Sequence, residues 1–153
     1  IACDLSKKWD EFAAYVGDEI TTSDDELWQP MTDERILAVM PGGTDGAWIF
    51  GERGLATVNR PVLLIQATED SKYQPTEAAF IFEHIGTPNK GMISFIGENH
   101  MMVMKEEIVS RINHFAVAFF GYYLQGNTEY ADYFSEEFVS QFDDLFWGVY
   151  PNE

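Results

Sequence analysis

Three largely apolar runs, bounded by glycine or proline, restrict what this chain can fold into more than any other feature. They are ILAVM at 36–40, followed by Pro-Gly-Gly, then PVLLIQA at 61–67, and GMISF at 91–95, followed by Ile-Gly. A strand that is wet on one face alternates apolar and polar residues. A short run without alternation, bounded by turn formers, reads as a strand covered on both faces. Between the second and third runs, QPTEAAFIFEHIG places Ile81, Phe82 and Ile85 on one side of a helix, with Thr76 as its cap. Strand, helix and strand at this spacing predict a crossover in a parallel sheet, hence the α/β class.

The flanking segments read as helices. Ile108, Ile112, Phe115 and Phe119 share one face of a long helix over 104–125 that packs on the sheet. Tyr130, Phe134, Phe138, Phe142 and Leu145 repeat the device in an acidic, aromatic C-terminal helix within 127–153. Near the start, Trp9, Phe12, Ala13, Val16 and Ile20 predict a further amphipathic helix. With 153 residues, 46% of them apolar, the chain has enough material for one core and not for two ordinary domains. Three parallel strands are few for an open sheet of this kind, and an edge as apolar as ILAVM invites pairing. Residues 1–126 therefore read as the back portion of a larger domain, and the start at Ile1 rather than Met fits processing or truncation upstream.

Charge narrows the partners. The net charge of −17 argues against nucleic acid and anionic membrane, both of which need basic surface. Acidity sits in the flanks: residues 1–34 hold ten acids and two lysines, and 127–153 hold seven acids and no base. A solvated surface explains this most simply. No apolar run approaches the roughly 20 residues of a membrane span. A lone Cys3 can form no internal disulfide.

In open α/β sheets, chemistry gathers at the carboxyl ends of strands. The first run ends in PGGTDGAWIFG, the second in ATEDSKYQP, and the third in GENH. An acid after one strand and a histidine after the next suit a proton-transfer pair. The imidazole takes a proton through one nitrogen while a carboxylate holds the other N–H. The strings PVLLIQATEDSKYQP and GMISFIGENH resemble the C-terminal part of α/β-hydrolases, most closely the dienelactone-hydrolase-like and bacterial platelet-activating-factor acetylhydrolase-like esterases. RILAVMPGG and FGERGLATVNRPVLLI extend the resemblance over about residues 33–125. It implies the C-terminal half of an α/β-hydrolase fold, with Asp70 as the triad acid and His100 as the base. Glu69 is the rival acid, but the family's turn places the acid at the second position.

One departure from that pattern is large. No Gly-x-Ser-x-Gly elbow occurs in the chain, whose serines are Ser6, Ser23, Ser71, Ser94, Ser110, Ser135 and Ser140. The resemblance puts the nucleophile upstream of Ile1, together with the oxyanion-hole amides, so this chain alone is expected to be inactive. The missing N-terminal half of the same domain is then a required partner. The expected substrate is a small-molecule, lipid or polymer ester, with Trp48, Met101 and Met102 as candidate pocket residues. No cofactor is implied. No histidines stand at metal-ligand spacing, His84 and His114 fall inside helices, and the glycine run lacks the Lys-Ser/Thr of a phosphate loop. The residues leave the location open, and the resemblance tilts it toward secretion or the cell envelope. The competing expectation is a non-catalytic module that pairs its sheet edge with another chain.

Overall fold

The computed structural model describes residues 33–151. The expected N-terminal helix and Cys3 lie outside the described residues. Within them, helix α1 (Ala47–Leu55) precedes strand β1 (Val62–Ala67), helix α2 (Pro75–His84) and strand β2 (Lys90–Phe95). A 3-10 turn (His100–Met104) then leads into helix α3 (Glu106–Gln125). A second 3-10 segment (Thr128–Phe134), the short helix α4 (Glu136–Val139) and strand β3 (Leu145–Trp147) follow.

β1 and β2 pair in parallel from Val62 opposite Lys90 to Ala67 opposite Phe95. Every residue of β1 is buried, and all of β2 after Lys90. That burial explains the lack of apolar–polar alternation, because each strand is covered on both faces. Leu63, Ile65, Ile93 and Phe95 face one core with Ile108, Phe115 and Phe119 of α3. Val62, Leu64 and Met92 face the other, with Ala47 and Leu55 of α1 and Ala78 and Ile81 of α2. The sheet is thus the middle of three layers. Lys90 fixes the return from α2 to β2: its Nζ donates to the carbonyls of Phe82, Glu83 and Ile85 at 2.6, 3.1 and 2.9 Å, satisfying acceptors at the helix end.

The ILAVM segment runs parallel to β1 but touches it at two separate bridges, Val39 with Val62 and Gly42 with Ile65. Pro41 between them has no N–H to give, though its carbonyl accepts from Ile65 at 2.9 Å. The sheet therefore has two full parallel strands and a loosely joined border, where three full strands are expected from the sequence.

Two further expectations change. The glycine-rich loop after Gly43 contains a helix, α1, kinked at Gly51, which seats Ala47 and Leu55 against α2. The aromatic tail is not one helix. Ser135 interrupts it in an extended conformation, and its side chain accepts from the Phe138 N–H at 3.2 Å to start α4. The chain then returns to the sheet, and β3 pairs antiparallel with β2, Phe95 opposite Leu145. The sheet is mixed, in the order β1-β2-β3.

Candidate active site

The pairing of β1 and β2 brings their carboxyl ends side by side, and backbone bonds lash the two following loops together. Thr68 N–H donates to the Phe95 carbonyl at 3.0 Å, and Glu69 N–H donates to the Glu98 carbonyl at 2.8 Å. The Thr68 hydroxyl accepts from Gly97 N–H at 2.9 Å. Asp70 and His100 are carried by these two loops.

Asp70 turns inward, its side chain only 2% exposed. Its two oxygens have separate tasks. Oδ1 accepts from the backbone N–H groups of Lys72 and Tyr73, both at 2.9 Å. Oδ2 faces Nδ1 of His100 at 3.2 Å. Burial pushes the Asp70 carboxyl up, but the hydrogen bonds from Tyr73, Lys72 and His100 together outweigh it, and the net shift is downward. The group is an anion held in place. Glu69, its neighbour, is exposed, so the carboxylate facing the imidazole is that of Asp70.

His100 opens the 3-10 turn. Asn99 caps it, its side chain accepting from Met101 N–H at 2.9 Å. Lys105 closes it with bonds of 2.8 and 2.7 Å to the Glu98 carboxylate. Met102 anchors it from beneath, 4% exposed in the core with Leu63 and Phe115. Asp70 engages Nδ1, which leaves Nε2 as the nitrogen free for proton transfer on a ring that is 35% exposed.

The structure places the three expected pocket residues at different depths. Met102 is a core residue, because the turn needs an apolar anchor. Trp48 on α1 and Met101 are more than half exposed, so they form no closed wall. The aromatic ring on His100 is Tyr73, edge-on with centroids 4.9 Å apart. Tyr73 in turn packs against Gly43 of the Pro-Gly-Gly loop: a Cβ placed on Gly43 would lie 3.0 Å from its ring. Gln66 is a second residue that the sequence reading missed. Only 1% exposed, it donates through Nε2 to the carbonyls of Tyr73 and Ala67 at 2.9 and 3.1 Å. A glutamine inside an apolar strand was the available signal, since a buried amide needs partners.

The other histidines are accounted for locally. His84 lies 2.8 Å from the Phe80 carbonyl through Nδ1, and His114 stacks on Phe138. Among the described residues, no group of three or more histidine, cysteine or acidic side chains could hold a metal ion. Nor is any helix there long and apolar enough to cross a membrane. Compared with protein-family models and with curated proteins, the chain matches none.

Proposed function

We propose that Asp70 and His100 are the acid and base of a serine-dependent carboxylic ester hydrolase. The observation that carries this reading is the buried, anionic Asp70 facing Nδ1 of His100 at the joined ends of two parallel strands. In the reaction, Nε2 takes the proton of a serine hydroxyl as the oxygen attacks the ester carbonyl. The imidazolium, stabilised by Asp70, returns that proton to the departing alcohol and leaves an acyl-enzyme. Water, deprotonated by the same nitrogen, then releases the acid and regenerates the serine. The nucleophile proposed here lies in a Gly-x-Ser-x-Gly elbow upstream of Ile1, because no such elbow is present in this sequence.

A second reading, a non-catalytic module that pairs with another chain, draws on the border segment. Ile36, Leu37 and Val39 are 49%, 51% and 38% exposed there. The same border suits the strand that would bring the serine, so the exposed edge alone favours neither reading. Hydrolysis of p-nitrophenyl esters by the full-length protein separates them. Asp70→Asn should lower kcat roughly 10⁴-fold, the cost of holding the wrong imidazole tautomer. Undiminished turnover in that variant, or none in the wild type, rejects the hydrolase reading.

A further inference from the structure

A single hydrogen bond to Nδ1 does not fix an imidazole. At 3.2 Å from Asp70 Oδ2, the His100 ring can still pivot about that contact, and its side chain is one-third exposed. Met101, Val103 and Met104, its companions in the 3-10 turn, are 58%, 56% and 75% exposed and offer no packed surface. Tyr73 offers one. Its ring meets the imidazole at 70°, an edge-on arrangement that favours one tilt over others.

Tyr73 is itself held at several points. Its N–H donates to Asp70 Oδ1 at 2.9 Å, so the residue that packs on the base also bonds the acid. Its carbonyl accepts from the buried Gln66 amide at 2.9 Å. Its ring lies against Gly43, which has φ +58 and is tied to β1 by an N–H bond of 3.0 Å to the Ile65 carbonyl. Lys72 Nζ stands 5.1 Å from the ring centroid. Gly43 belongs to the loop after the first apolar run, Tyr73 to the loop after the second, and His100 to the loop after the third. The ring of Tyr73 bridges all three.

We infer that Tyr73 is the positioning residue for His100, with Gly43 leaving the space that sets the tyrosine ring. This rests on the reading of Asp70 and His100 as an acid–base pair and adds to it the group that orients the base. The ring and not the phenol hydroxyl is required, so phenylalanine should serve equally well. A side chain at Gly43 should displace the Tyr73 ring and also strain the left-handed backbone there.

The test is the tautomer of His100, read from imidazole ¹⁵N shifts in the full-length protein labelled at histidine, with the rings neutral. His100→Gln assigns the signal. Wild type and Tyr73→Phe should both hold the proton on Nδ1. In Tyr73→Ala, the ratio of Nε2–H to Nδ1–H forms should rise roughly tenfold, about the worth of an edge-on ring contact. Gly43→Ala should change the ratio in the same direction, and the part of that change that runs through the ring should vanish when Tyr73 is already alanine. Backbone amide spectra identify any variant that has lost the fold. Tyr73→Leu, which fills space without a ring, should resemble Tyr73→Ala and keeps the test decisive if the alanine variant unfolds. A wild-type tautomer in both Tyr73→Ala and Tyr73→Leu, with Asp70→Asn altering it, overturns the role of Tyr73 and leaves the acid–base pair standing. A tautomer insensitive even to Asp70→Asn overturns both.

Discussion

Asp70 has a carboxylate whose oxygens cannot exchange tasks without cost. Two backbone N–H groups occupy Oδ1, and only Oδ2 faces His100. Because its folded pKa is depressed, the ionised form contributes stability above the unfolded value of about 3.9. That contribution is lost as pH falls through the lower folded value. The stability gap between wild type and Asp70→Asn should therefore be widest at neutral pH and shrink below about pH 4, measured by urea unfolding across the range. Glu69→Gln, at an exposed neighbour, should change stability by no more than about 0.5 kcal/mol. The meeting of Asp70 with His100 was legible in the sequence because a strand end followed by ATED and another followed by GENH limits the choices. Tyr73 and Gln66 were not, since their roles arise only when three loops close on one another. No spacing along the chain encodes that meeting.

At the scale of elements, the apolar runs were readable because β1 and β2 are buried on both faces. The tail was misread for the opposite reason. Aromatic residues four apart from Tyr130 to Phe142 suit a helix, but Tyr130 is needed elsewhere. One edge of its ring lies against Gly121 of α3, where a Cβ would come within 2.3 Å of it. Glycine inside a 20-residue helix costs about 1 kcal/mol relative to alanine, and the tyrosine contact explains why it is there. Gly121→Ala gains that propensity but overpacks the contact, which costs about 1–3 kcal/mol. Thermal unfolding should show a net loss, and Tyr130→Ala in the same chain should remove the clash and recover part of it. If Gly121→Ala stabilises the chain, the tail does not dock on α3 in this way.

Considered whole, the described residues have two unlike sheet borders, a short antiparallel strand and a loosely bridged segment. β3 closes the β2 side, and the 36–42 segment borders β1, with no further strand beyond it among the described residues. Leu37 and Val39 keep half and more than a third of their surface in water there. An apolar border of that kind pairs with other chains unless charge prevents it. The 153-residue chain should accordingly self-associate in sedimentation despite its charge of −17. Leu37→Lys with Val39→Lys should shift it toward monomer, with a change in stability near 0.5 kcal/mol. A monodisperse wild-type chain would mean that the border is closed by something within this sequence.

The proposed acid–base pair acts only if it activates a serine, and that step can be read in isolation. A fluorophosphonate probe phosphonylates an activated serine, whose oxygen attacks phosphorus and displaces fluoride, without any need to know the substrate ester. In the full-length protein, it should label one serine upstream of Ile1, within Gly-x-Ser-x-Gly. His100→Gln should abolish that labelling while the protein remains folded. Labelling that persists in His100→Gln, or its absence from the wild type, would contradict the assignment of His100 as the base of a serine hydrolase.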